Sequence, residues 1–178
     1  RGFVVVAGCR RGRRQTAVQV SFAEMPITVV SFAPQYAEAF ARLNLEWIER
    51  FFAVEASDRH MLGNPQQTII DPGGQIFVAL DGDRPVGVVA AIPEGEQGWE
   101  LAKMAVSASH QGQGIGELLG RAAVEYAWSK GASRMFLDTN SRLANAIRLY
   151  ERLGFRQTDP PQVSPYARSD VYMELLFP

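Results

Sequence analysis

A mixed α/β domain built around one sheet is what this sequence predicts, on three observations. Short β-branched runs are bounded by Gly, Pro and Asp; two longer segments repeat apolar residues every three or four positions; and the two kinds of segment interleave along the chain. Residues 27–32 (ITVVSF) alternate as a strand does, and Pro34 then opens a helix. That helix, running to about residue 52, sets Tyr36, Phe40, Leu43, Trp47, Ile48 and Phe51 on one face. A shorter helix is expected over 58–62 and a short strand over 67–70. Asp71-Pro72-Gly73-Gly74 has the residue types of a tight turn.

Strands over 75–80 and 85–92, joined by Asp81-Gly82-Asp83, read as a hairpin, and another strand follows over 99–106. Over 114–130, Ile115, Leu118, Leu119, Ala122, Ala123, Tyr126 and Ala127 form a helical stripe closed by Gly131. A strand at 133–139, a helix at 143–152 stopped by Gly154, and strands at 155–158 and 171–177 complete the order β-α-α-β-β-β-β-α-β-α-β-β.

The chain has 178 residues, 47% of them hydrophobic, with a net charge of −1, enough for one sizeable core and without a general field for nucleic acid or membrane surfaces. Cys9 is the single cysteine, so no internal disulfide can form, and His60 and His110 lack the spacing of a metal site. No metal is expected, and a cytoplasmic setting is. Arg1, Arg10, Arg11, Arg13 and Arg14 precede the first acid, Glu24, and Met25-Pro26-Ile27 reads as a natural start. Residues 1–24 are therefore expected to be a basic, non-essential leader, with targeting or nucleic-acid roles as the alternatives, and 25–178 the single domain.

The informative turn is Gln111-Gly112-Gln113-Gly114-Ile115-Gly116, between a strand and the most regular helix. Glycines let backbone approach a ligand, and free N–H groups at a helix N-terminus suit a pyrophosphate; a tight packing turn is the alternative. A dinucleotide fingerprint fails, because the third glycine position holds Glu117 or Leu119, and a P-loop fails for want of Gly-Lys-Ser/Thr. His110 precedes the turn without the Ser/Asp pattern of a hydrolase triad and is expected to face solvent.

Three separated pieces, ELAKMAV, HQGQGIGELL and FLDTNSRLANAIRLYERLGF, resemble the acyl-CoA signature of the GNAT N-acetyltransferase superfamily, in its order and spacing. Further pieces, LNLEWIERFF, GGQIFVA and SPYARSDVYMEL, are similar to bacterial GNAT domains found alone or fused to winged-helix regulators. The resemblance implies a mostly antiparallel sheet with a splayed central strand pair and helices on both faces. It implies acetyl-CoA as cofactor, with pantetheine along Met104, Ala105 and Val106, and pyrophosphate on backbone N–H groups of Gln111, Gly112, Gln113, Gly114, Ile115 and Gly116. Asn145 is a further candidate contact, two positions after the family's usual asparagine.

Tyr150 matches the tyrosine that protonates the departing thiolate, with a core tyrosine as the alternative. Glu100 stands where some relatives place a general base, with a solvated strand glutamate or a water relay as alternatives. Glu46, Glu55 and Asp58 are candidates for the acceptor pocket, with a solvated helix face as the alternative, and so are Tyr166 and Arg168, with a plain loop aromatic as the alternative for Tyr166. The reaction implied is direct transfer of acetyl to a small-molecule or peptide amine; a non-catalytic acyl-CoA sensor is the competing function. Nucleic-acid and membrane partners are not expected, and a homodimer is left open.

Overall fold

Both faces of the central strands are buried in the protein, for which a computed structural model describes residues 26–161, 164 and 167–178. The expected leader, residues 1–24, and Tyr166 lie outside the described residues. Among the described residues, seven strands form one sheet: β1 (Thr28–Ser31), β2 (Gln75–Asp81), β3 (Arg84–Pro93), β4 (Trp99–Val106), β5 (Arg134–Thr139), β6 (Arg156–Thr158) and β7 (Val171–Leu176). Their order is β1-β2-β3-β4-β5-β7-β6, and every neighbouring pair is antiparallel except β4 with β5. The mixed class and the mostly antiparallel sheet are as expected.

Period-two alternation sends the two faces of the sheet into two cores. On one, Ile76, Val78, Val88 and Ala90 meet Phe40, Leu43 and Ile48 of α1 (Ala37–Phe51) and Leu62 of α2 (Ala56–Gly63). On the other, Ala79, Val89, Ala91 and Leu101 meet Ile115, Leu119, Ala123 and Ala127 of α3 (Ile115–Ser129). Ile147 and Tyr150 of α4 (Ala144–Arg152) pack at the margin of that second core. Each fully buried Ile, Leu or Phe contributes about 1.5–3 kcal/mol, so the stripes read in the sequence hold the helices to the sheet, except that Phe51 and Leu118, expected on them, are 39% and 47% exposed.

A β-bulge interrupts this alternation in β4. Val88 pairs with Ala105 but Ala90 with Ala102, so β4 carries one residue more than β3 across that interval. Lys103 absorbs the irregularity with φ of 52°, the one non-glycine residue at positive φ among the described residues. The parity of side chains then flips: Leu101, Met104 and Val106 border the α3 core, while Ala102 and Ala105 join the α1 core. The strand pattern alone could not show that reversal.

Residues 67–70, expected as a strand, instead lie in a π-helical turn, Gln66–Ile70. The Asp71 N–H reaches back five residues to the Gln66 carbonyl at 2.8 Å, and the Thr68 hydroxyl donates to Asn64 O at 2.8 Å. The β-branched pair was the misleading signal, because burying Ile69 beneath α1 and α2 outweighs strand propensity. Gly74 closes the turn: its N–H donates to Ile69 O at 2.8 Å, and a Cβ there would lie 2.7 Å from Ile69 O and 2.8 Å from Ala91 O. Both obstacles are backbone, so Gly74→Ala is expected to cost about 2 kcal/mol in chemical denaturation. A loss below about 0.5 kcal/mol would mean that the turn yields freely.

Candidate active site

β4 and β5 pair in parallel at Trp99–Met135 and Glu100–Phe136. Beyond those pairs lies a cavity of about 150 Å³, walled by α1, β4, β5, α4 and the segment before β7. This is the splayed pair that the resemblance implied. The strand residues Glu100 and Met104 and the helix residue Tyr150 all line it, together with Asp138, Trp47 and Phe52.

Glu100 is 9% exposed, and burial, the largest influence, pushes its carboxyl up to about 7; Lys103 opposes that rise, while Glu94 and Asp138 add to it. A carboxyl titrating near neutrality can take a proton from an ammonium group and release it again. Burial likewise pushes the Tyr150 phenol up to about 12, so it keeps its proton at neutral pH. Its ring is held edge-on to Phe155 at 6.3 Å. Glu100 is therefore not the solvated strand glutamate, and Tyr150 is both packed and open to the cavity.

Behind one wall lies a knot of charge. Asp58 is fully buried; Arg168 reaches its two oxygens at 2.8 and 2.9 Å, and Lys103 Nζ reaches it at 2.8 Å. Arg168 also donates to Glu55 at 2.9 Å, and the Glu55 N–H donates to Asp58 at 3.2 Å. Burial works to raise the Asp58 carboxyl, but the bonds from Arg168 and Lys103 outweigh it and hold the group below its usual value. Of the expected acceptor residues, Arg168 lines the cavity, whereas Glu55 and Asp58 stand behind it as the partners of its cations.

The glycine turn leads into α3. Gly112 and Gly114 take φ of 78° and 80°, and a Cβ at either would find nothing within 4 Å. Their requirement is conformational, and the space above them is open. Gly116 instead keeps α3 close to α4, where a Cβ would stand 3.0 Å from Leu149. The Gln113 side chain donates to Ser109 O at 3.2 Å and that of Gln111 to Val106 O at 3.1 Å, so side chains brace the turn from beneath. Val106 thus has its carbonyl engaged, while Met104 lines the cavity and Ala105 packs into the α1 core.

His110 does not face solvent as expected: its side chain is 12% exposed. Nδ1 lies 2.8 Å from Ser107 Oγ and 2.9 Å from Ser109 Oγ, and Nε2 lies 3.3 Å from Asp81. The ring thereby ties the hairpin turn to the glycine turn. Glu46 sits on the outer face of α1, paired with Arg42 at 3.0 Å, and Asn145 is exposed and hydrogen-bonded to Arg148. Neither lines the cavity. The sequence reading missed Asp138, Trp47 and Phe52 as site residues. Asp138 was visible only as a carboxylate inside the apolar run FLDT. Among the described residues, no group of His, Cys, Asp or Glu could hold a metal ion, and no helix is long and apolar enough to cross a membrane.

Residues 39–155 match the family model described as Acetyltransferase (GNAT) family. An uncharacterized N-acetyltransferase of Schizosaccharomyces pombe is 32% identical over 147 residues, covering 80% of this chain and 89% of that protein. N-acetyltransferase family 8 member 2 of Rattus norvegicus is 32% identical over 102 residues, 54% of this chain. The match takes in only 45% of that rat protein, so the chain spans less than half of its length. In structure, the chain is similar to a GNAT-family acetyltransferase of Staphylococcus aureus, with a TM-score of 0.76, 18% identity, and 84% of this chain and 98% of that one covered.

Proposed function

The chain belongs to the GNAT acetyltransferase family, and from that premise we propose that it transfers acetyl from acetyl-CoA directly to a primary amine. The observation that carries this reading is the meeting of Glu100 and Tyr150 in one cavity at the split between β4 and β5. The residues present fit the cofactor. Open space above Gly112 and Gly114 leaves the backbone N–H groups of the turn and the α3 N-terminus accessible to a pyrophosphate. The nearby acid Glu117 is engaged by Arg121 and Arg152, at 2.7 and 3.4 Å. Met104, on the bulged strand, offers main chain to the pantetheine arm as an added strand would.

Acetyl-CoA supplies the activated acetyl group as a thioester. Glu100 takes the proton that the ammonium form of the acceptor must lose, because an amine with its lone pair protonated cannot attack. The Tyr150 hydroxyl, which lines the same cavity, holds a proton for the departing sulfur. The cavity walls orient the two partners, which lowers the entropic share of the barrier.

The test is thiol release from acetyl-CoA across a panel of primary amines. Release that depends on the amine supports the transferase; CoA binding with no release on any amine would replace it with the sensor. Tyr150→Phe is expected to lower kcat about 100-fold while leaving the KM for acetyl-CoA unchanged. Unaltered turnover in that variant would remove Tyr150 from the mechanism.

A further inference from the structure

Among the described residues, four charged side chains line the cavity: Glu100, Lys103, Asp138 and Arg168. The two cations are not available to a ligand in the way that the two acids are. Lys103 is spent on Asp58, and Arg168 on Asp58 and Glu55, and neither of those carboxylates lines the cavity. The knot is neutral as a whole, two positive charges against two negative ones. What it leaves facing the cavity is Glu100 from β4 and Asp138 from β5, on the two strands that flank the split. Asp138 Oδ1 accepts one hydrogen bond, from the Ser169 hydroxyl at 3.0 Å. The rings of Trp47 and Phe52, 5.8 Å apart between centroids, line the same cavity. Arg142 places its guanidinium 5.9 Å from the Phe52 centroid, and it does not line the cavity.

Resting on the transferase reading, we infer that the acceptor is a cationic amine with an apolar or aromatic body and no carboxylate beside the amino group, held by Asp138 while Glu100 receives its proton. The chemistry of the walls decides this. An ammonium group between two carboxylates is attracted before it reacts, and the carbon body can cover the Trp47 and Phe52 rings. An α-carboxylate carried into the same space would meet Glu100 and Asp138 with both cations already engaged. Like charges brought together in a partly desolvated site are strongly disfavoured, and this is how a site rejects one of two otherwise similar ligands. The preferred class is thus a decarboxylated amino acid rather than the amino acid itself.

The experiment compares such pairs, tyramine with tyrosine and phenethylamine with phenylalanine, by thiol release from acetyl-CoA and by calorimetric binding to the CoA-loaded protein. The amine of each pair is expected to exceed its amino acid about 100-fold in kcat/KM. Asp138→Asn, which keeps the shape and the bond to Ser169, is expected to raise the KM for the amine about tenfold, leave the KM for acetyl-CoA unchanged and narrow the discrimination. Equal turnover of amine and amino acid, or unchanged discrimination in Asp138→Asn, would overturn the inference while the transferase reading stands. Binding of the amine but not the amino acid, without release from either or from any amine of the panel, would uphold the inference about the cavity and overturn the transferase reading. Failure of both compounds to bind or react would overturn the inference, and the transferase reading would then stand or fall on release with the wider amine panel.

Discussion

Asp58→Ala is expected to lower the free energy of unfolding by about 3–5 kcal/mol, read as a fall in the denaturation midpoint at constant m. Asp58 is fully buried and accepts from Arg168 at 2.8 and 2.9 Å and from Lys103 at 2.8 Å. Alanine takes away the carboxylate that Arg168 and Lys103 share and leaves Glu55 facing two cations whose side chains are only 16% and 5% exposed. Rehydrating them means opening the wall of the cavity. The loss extends to the backbone, because Lys103 sits at the β4 bulge with φ of 52°, and its side chain is anchored there by Asp58. Asp58→Asn keeps the shape and two of the accepting directions, so it is expected to lose less. A loss below about 1 kcal/mol for the alanine variant would show that the knot contributes no more than an exposed ion pair.

The same group gives the protein an acid limit with a defined sign. The Asp58 carboxyl is held below its usual value in the folded protein, so its contribution is present above the unfolded value and is lost as pH falls through the lower, folded one. Asp58→Asn removes that dependence along with the charge.

Asp58 also shows where the sequence stopped being legible. On its helix it carries the spacing of a solvated or substrate-facing acid, and nothing local marks it as buried. Its partners stand 45 and 110 positions away, so the pairing exists only once β4 and the segment before β7 converge on α2. Glu46 erred in the opposite sense. Its i−4 partner Arg42 was readable as an exposed helix pair, and the resemblance drew attention past it. The α3 stripe, the β2–β3 hairpin and the glycine turn were legible because each rests on period or on backbone conformation, which are local properties. The bulge at Lys103, the π-helical turn at Gln66–Ile70 and the cavity face of Asp138 rest on register and on long-range packing.

Glu100→Gln is expected to lower kcat about 1,000-fold and, at pH 8, to make the protein more stable. The first effect follows if the carboxylate receives the amine proton, since the amide cannot. In the wild type kcat/KM is then expected to rise with pH to half its plateau at about 7, where Glu100 loses its proton, and to fall tenfold per unit below. The variant should lack that limb. The second effect follows from linkage. The folded carboxyl titrates at about 7 against an ordinary value of 4.5, so the folded state binds more protons than the unfolded one between those values. Stability from this group is therefore full below about pH 4.5 and falls as pH rises through 7, by about 3 kcal/mol in all. Glutamine never carries the buried charge, so its advantage of about 1–3 kcal/mol at pH 8 should shrink to nothing by pH 4.5. A core glutamate with only a packing role would lose stability on substitution and keep its turnover. The opposite pair of results, turnover lost and stability gained in one variant, is what a charge kept in the cavity for chemistry predicts. Retention of turnover by Glu100→Gln would pass the proton to a water relay, and an unchanged pH limb in that variant would place the titration on another group.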